Sequence, residues 1–453
     1  MRITLIKPNI GRMLEGTYVD EARMEPLPLG FLAALTPKNI EIAVYDDRME
    51  DIPYDEVTNL VGITVETYTA KRSYEISSEY KKRGISVIMG GMHPTLIPDE
   101  VLEHADAIIV GDADEVWGSV LEDAKQGKLQ RIYYGKTQKP AEEILPCREI
   151  YQGKGYLPVS LTQFSRGCTF GCEFCASSVY FKKQHYCRNV DAVMKEILTH
   201  ELKTIFFVDD NIVANIPQAK ELFRALIPLK IKWISQASIN MTEDLELMEL
   251  MAQSGCLGHV IGFESLRVDN LRSMNKTPNI GVSTNYKEQI EILRQFGLQT
   301  WAAFTVGHEF DTSDSIKRLV EFAISNKFAF AAFNILMPYP GTALYERLQQ
   351  EKRLLYGGEW WLHPDYRFNY ASFIPNKMTP DELTEAAFMA RKEFNSVSSI
   401  FRRSLDLKTH MRSLYKFGAY FTYNPLFRKE VYKKQGMLFG LTNMFFSKSG
   451  RQI

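Results

Sequence analysis

Arg166-Gly167-Cys168-Thr169-Phe170-Gly171-Cys172-Glu173-Phe174-Cys175-Ala176 sets three thiols in a CxxxCxxC spacing. Thiolates are soft ligands that suit iron–sulfur clusters or zinc. A loop this tight can wrap three of them round one corner of a cube, which leaves one iron of a 4Fe–4S cluster without a protein ligand. A structural zinc site would want a fourth Cys or His, and His185 and Cys187 are at hand. Cys147 and Cys256 complete the set of six cysteines in a chain of 453 residues. Their clustering points to metal rather than to a disulfide framework. Cys256 reads as a small apolar core residue, and Cys187 is a weaker functional candidate because it lies close to the loop in sequence.

Outward from this loop the chain falls into three regions. The loop follows directly on the first of six strand-like apolar runs, at 161–166, 204–208, 231–237, 258–263, 300–306 and 331–336. Helical segments such as 189–202 and 287–296 separate them. Repeated βα units imply parallel strands closing toward a barrel, and six units fall short of the usual eight, leaving a cleft. Active groups are expected at the carboxyl ends of the strands. Upstream, residues 1–140 alternate short runs (3–6, 40–45, 60–65, 86–89, 107–110) with amphipathic segments such as 73–82, the pattern of a doubly wound parallel sheet. Its carboxyl ends carry Lys7-Pro8-Asn9, the loop 64–69, Gly90-Gly91-Met92-His93 and Gly111-Asp112. A polar, proline-bearing linker spans 141–159. The barrel-like region is 160–345, and 346–453 reads as helical.

Hydrophobic residues make up 45% and charged residues 24%, an ordinary globular composition, and the net charge of −1 points to no nucleic-acid partner. The opening MRITLIKPNI reads as a first strand and not as a secretory signal. No apolar stretch is long enough to span a bilayer, so a cytoplasmic protein is expected.

The cysteine spacing, with aromatic Phe174 just before the third thiol, resembles the radical S-adenosylmethionine (SAM) superfamily, and the likeness extends over roughly 160–345. That superfamily has a partial (β/α)6 barrel. The resemblance implies that Cys168, Cys172 and Cys175 hold a 4Fe–4S cluster whose open iron chelates SAM. It also implies that Phe174, Asp209, Gln236 and Glu264 face SAM. The plainer reading of these strand-end polar residues is that each caps the following helix. Tyr339-Pro340-Gly341-Thr342 resembles a loop that borders the site, and would equally make an ordinary turn.

The amino-terminal region resembles the cobalamin-binding domain fused to radical SAM barrels, through Pro28-Leu29-Gly30, Asp46-Asp47, Val61-Gly62-Ile63-Thr64, Gly90-Gly91-Met92-His93-Pro94-Thr95 and Val110-Gly111-Asp112. The cobalamin contacts implied are Pro8, Asn9, Thr64, Glu66, Thr67, Tyr68, Gly90, Gly91, His93 and Gly111. The Asp-x-His-x-x-Gly stretch that supplies a cobalt ligand in methionine synthase is absent. His93 is therefore expected to bond a corrin amide, with direct ligation of cobalt the lesser alternative.

The whole resembles a class B, cobalamin-dependent radical SAM enzyme. It implies a methyltransferase acting on an unactivated carbon, with methylcobalamin, a 5′-deoxyadenosyl radical and an external electron donor such as ferredoxin or flavodoxin. No side chain is assigned as a general acid or base. The alternatives are a cobalamin-dependent cyclase and a non-catalytic metal-binding module. Basic and aromatic residues of the last region (Arg402, Arg403, Lys408, Arg412, Lys416, Arg428, Lys429, Lys433 and Lys434 among Phe401, Tyr415, Phe417, Tyr420 and Phe421) suggest a cradle for a peptide or protein. A lipid or small metabolite is the other substrate class, with a membrane-surface role in the lipid case. Such residues also form the solvated and packed faces of ordinary helices. Trp360 and Trp361 would either line the cleft or enter the core.

Overall fold

Parallel strands covered by helices on both faces must be apolar almost throughout, and Leu60-Val61-Gly62-Ile63 is buried at every position. The computed structural model describes residues 1–10, 24–137, 139–140, 142 and 144–434. Strands β1 (Arg2–Lys7), β2 (Glu41–Asp46), β3 (Leu60–Thr64), β4 (Ser86–Gly90), β5 (Ala107–Val110) and β6 (Ile132–Tyr134) form one parallel sheet in the order β2-β1-β3-β4-β5-β6. Alternate residues serve opposite faces. Ile3, Leu5, Leu60, Ile88 and Ile109 pack with helices Leu27–Leu35 and Trp117–Lys125. Ile6, Val61, Ile63, Val87, Met89 and Ile108 pack with helices Ala70–Lys82 and Pro98–His104. The strand order reverses between β1 and β3, where connections diverge and a crevice opens beyond the carboxyl ends. The sequence pattern does not reveal β6, which is three residues long with only Tyr133 buried.

β7 (Ser160–Thr162), β8 (Ser165–Gly167), β9 (His185–Cys187), β10 (Thr204–Phe207), β11 (Lys232–Ala237), β12 (Cys256–Glu264), β13 (Gln299–Val306) and β14 (Phe330–Ile335) follow. Six of them form a parallel sheet in the order β7-β10-β11-β12-β13-β14, the partial barrel. Its returning helices start at side-chain caps: Asn189, Asn215, Asp244, Thr312 and Thr342 each accept a backbone N–H of the first turn. The expected first barrel strand, 161–166, is in fact two. After β7 the chain leaves the sheet, because the Asp209 carboxylate takes the N–H groups of Phe164 and Ser165. The chain then pairs as β8 antiparallel to β9. Gly167 sits there at φ +81°, where a Cβ would lie 2.2 Å from the Gln184 carbonyl oxygen, so only glycine fits.

Beyond the barrel come helices Pro380–Phe394, Val397–Ser404 and Leu414–Lys434. The remainder of the expected helical region, 435–453, lies outside the described residues. Trp360 and Trp361 are buried in the core cluster of the first sheet, and the Trp361 indole N–H reaches the Glu100 carboxylate at 3.1 Å. They join the first sheet to the segment after the barrel. Among the described residues no helix is long and apolar enough to cross a membrane.

Candidate active site

The carboxyl ends of both sheets open onto one cavity of about 870 Å³, at the upper end of the about 300–1,000 Å³ usual for ligand sites. Lys7, Thr64, Glu66, Thr67, Tyr68, Gly90, Gly91 and Gly111 line the side of the first sheet. Gln163, Arg166, Phe174, Cys175, Ala176 and Tyr180 line the barrel side, with Tyr339 from the loop after β14. A slot runs from this cavity between helix Leu27–Leu35 and the sheet, walled by Leu29, Leu32, Gly62, Ile88, Ile109 and Trp117.

The first-sheet wall is made of turns. Residues 66–69 form a capping box, with the Thr69 hydroxyl accepting the Glu66 N–H at 3.0 Å. Lys7 meets the Glu66 carboxylate at 3.0 Å and holds it below its ordinary range against burial, which alone would raise it. Gly91 adopts φ +116°, and a Cβ there would stand 2.8 Å from the Val65 carbonyl oxygen. Backbone must therefore form the cavity floor at that point. Of the residues expected here, Pro8 and Asn9 are buried beside Lys7, with the Asn9 N–H donating to Asp47. His93 is elsewhere: fully buried, it faces Tyr74 and Glu100 through Nε2, each at 3.2 Å, and Thr67 through Nδ1 at 3.3 Å. Both ring nitrogens are engaged by protein. Among the described residues no histidine lines the cavity.

On the barrel side the loop from Gly167 to Ala176 is held from all directions. Arg166 bonds Asp112 at 2.9 Å and Asp114 at 3.2 Å, both just beyond β5, and Gln163 at 2.9 Å. Tyr180 donates to Asp112 at 2.8 Å. The Gly167 N–H donates to Asp210, the Asn275 side chain to the Gly171 carbonyl, and the Glu173 N–H to the Met274 carbonyl. Arg347 grips the Glu173 carboxylate at 2.6 Å and links it to Glu309.

Cys168, Cys172 and Cys175 are each half-buried, and burial pushes the Cys168 thiol up. Burial pushes the Cys172 thiol up to about 11; Lys276 pulls it down and the neighbouring thiols push it further up. The Lys276 ammonium is enclosed, and burial opposes its charge. Glu264 at 2.8 Å, together with Cys172 and Cys175, outweighs burial and holds it charged. Three thiols beside a buried ammonium fit a group with net negative charge, as a thiolate-ligated cluster is. His185 and Cys187, the residues that would complete a zinc site, lie 3.7 Å apart on β9.

The strand-end carboxylates divide. Glu264 sits at φ +59°, a left-handed conformation strained for glutamate. Lys276 and the Thr305 hydroxyl hold it beside the thiols. Asp209 is different. It is fully buried, its carboxylate accepts from the Phe164 and Ser165 N–H groups, and burial raises its pKa to about 7. Its carboxylate positions the chain entering the cysteine loop. Gln236 is likewise occupied, donating to the Asp209 carbonyl at 3.2 Å. Phe174 lines the cavity and packs edge-on to His308.

The sequence reading missed Lys276, Arg166 and Arg347, whose partners are distant along the chain. The basic aromatic tail stands at the opposite end of the barrel from the cavity. Arg403 donates to the Phe328 and Ala329 carbonyls, Arg412 to Gln295, and Lys416 to Gly297, all at the amino ends of β13 and β14. It therefore lines no part of the cavity among the described residues.

Residues 162–323 match the Radical SAM superfamily model. The bacteriochlorophyllide d C-8(2)-methyltransferase of Chlorobaculum tepidum is 31% identical over 358 residues, 73% of this chain and 78% of that protein. The bacteriochlorophyllide d C-12(1)-methyltransferase of the same organism is 29% identical, covering 83% and 84%. Among solved structures, TsrM of Kitasatospora setae, a radical SAM methyltransferase with cobalamin and a [4Fe-4S] cluster bound, superposes with a TM-score of 0.65. That match has 13% identity over 96% of this chain and all of that one. The cobalamin-dependent SAM radical enzyme OxsB also gives 0.65 at 13%, covering 96% and 72%.

The chain belongs to the radical SAM superfamily and, within it, to the methyltransferases. Its paired-sheet architecture is the fold of the superfamily's cobalamin-dependent members TsrM and OxsB.

Proposed function

We propose that the chain is a cobalamin-dependent methyltransferase that places a methyl group on an unactivated carbon of a bulky, largely apolar small molecule of the tetrapyrrole class. The observation that carries the reading is the shared cavity. The crevice at the β1/β3 switch point and the cysteine loop face one another across a single space. When bound, the cluster with SAM would supply a carbon radical and cobalamin a transferable methyl group.

The residues present fit these groups. Cys168, Cys172 and Cys175 would hold the cluster, with Lys276 offsetting its charge and Glu264 anchoring Lys276. Turn 66–69 and the Gly90-Gly91 floor offer backbone and hydroxyl contacts to a corrin. The apolar slot beside helix Leu27–Leu35 suits a buried nucleotide tail. With His93 engaged by protein on both nitrogens, no histidine of the described cavity wall would ligate cobalt. Phe174, Tyr180 and Tyr339 would exclude water from the space between the two cofactors.

The tetrapyrrole class is supported by relatives named for bacteriochlorophyllide d that align over most of their length. A peptide substrate loses its main support, since the tail expected to cradle it lies at the far end of the barrel. A cyclase is the second reading, favoured by a relative named anaerobic magnesium-protoporphyrin IX monomethyl ester cyclase, 24% identical. Anaerobic turnover with SAM, a strong reductant and, in separate reactions, a chlorophyllide or magnesium-protoporphyrin IX monomethyl ester distinguishes them. Methyl transfer should yield S-adenosylhomocysteine and 5′-deoxyadenosine in equal amounts with methylated product. Deoxyadenosine without S-adenosylhomocysteine would favour the cyclase. Neither product would overturn both readings.

A further inference from the structure

The segment after helix Pro380–Phe394 carries a surface that the reaction does not use. Of seventeen exposed large apolar side chains among the described residues, nine fall within 397–426. Leu414 is 91% exposed, Leu407 78% and Leu405 71%, and Phe401, near the end of the preceding helix, is 60% exposed. Soluble surfaces scatter such side chains singly, and their concentration marks an interaction face. Residues 397–434 also hold nine Lys and Arg against two acids, in a chain of net charge −1. One of those acids, Asp406, is taken by Arg294 at 3.0 Å, and Lys408 is paired with Glu291. Arg403, Arg412 and Lys416 bind carbonyls at the amino ends of the barrel strands, as described above. These contacts turn much of the polar side of the segment onto the barrel and leave the apolar side chains outward, with Arg402 and Lys429 exposed on the same segment.

We propose that this face docks the enzyme peripherally on an anionic lipid bilayer. Apolar side chains that enter the acyl boundary, flanked by cations that meet headgroup phosphates, are the composition of an interfacial segment. A second copy of the chain is the poorer occupant, because a two-fold contact would set one basic cluster against its twin. Crossing the bilayer is not required, and no described helix is built for it. Docking through the amino ends of the strands leaves the cavity, at their carboxyl ends, turned away from the lipid. Substitutions on this face should then spare the chemistry.

The test is sedimentation of the full-length protein with vesicles of phosphatidylcholine alone or mixed with phosphatidylglycerol. Binding should be about tenfold or more tighter to the mixed vesicles and should weaken with salt. Joint replacement Phe401→Ser, Leu405→Ser, Leu407→Ser and Leu414→Ser should lower that binding about tenfold or more. The thermal midpoint and 5′-deoxyadenosine production should stay unchanged. Arg402→Glu with Lys429→Glu should abolish the preference for phosphatidylglycerol. No sedimentation with either vesicle would overturn the proposal, as would binding that the serine variant leaves intact. A concentration-dependent dimer dissolved by the same four substitutions would assign the face to self-association instead.

Discussion

Replacing Arg166 with Met removes the guanidinium that, alongside the Tyr180 hydroxyl, ties the turn after β5 to the cysteine loop. That group serves Asp112 and Asp114, and the three side chains are only 11%, 11% and 18% exposed. Breaking a pair this enclosed costs about 3 kcal/mol, chiefly because the carboxylates stay behind in a poorly solvated place. Methionine keeps most of the stem's packing, so charge dominates the loss. The cost can be measured by anaerobic urea unfolding of the cluster-loaded protein, with proteolysis reporting each sheet separately because two-state behaviour is not assured at this size. Adding Asp112→Asn and Asp114→Asn should recover most of the lost stability, since no enclosed charge then lacks its counterion. A single variant within about 0.5 kcal/mol of the parent, or a triple variant no better than the single one, would refute the reasoning.

Gly91→Ala should destabilise the first sheet by about 2–3 kcal/mol and weaken corrin binding, read by equilibrium dialysis with hydroxocobalamin. The cause is a methyl group 2.8 Å from a backbone oxygen at φ +116°. Asp209→Ala should cost about 2–3 kcal/mol and lower iron content by stranding two N–H groups, yet leave the SAM Kd of the cluster-loaded fraction within about threefold; a larger rise would restore a direct contact. Burial lowers the His259 pKa to about 3. The unfolded chain therefore binds the extra proton first, so stability should fall as pH drops from about 6.5 toward 3, by about 1.4 kcal/mol per unit from this residue. His259→Gln should flatten that slope in acid-unfolding curves.

Periodicity located nearly every strand of both sheets, because parallel strands buried on two faces leave little freedom in composition. It merged β7 and β8, since the break between them is imposed by Asp209, far along the chain. The thiol loop declared itself through local spacing. The backbone partners of Asp209 were not legible, because a carboxylate at a strand end has one signature whether it faces a ligand or two backbone N–H groups. His93 followed a double glycine on the cavity floor, and only the packing of Tyr74, Glu100 and Thr67 shows where its ring points. Lys276 and Arg166 were silent in sequence because their meaning lies in partners on other elements.

Metal and corrin analysis of protein purified without oxygen bears most directly on the central claim. Four irons and four sulfides per chain, a bound corrin, and loss of the iron in Cys172→Ala are predicted. Zinc in place of iron, or full iron retained without the Cys172 thiol, would contradict it.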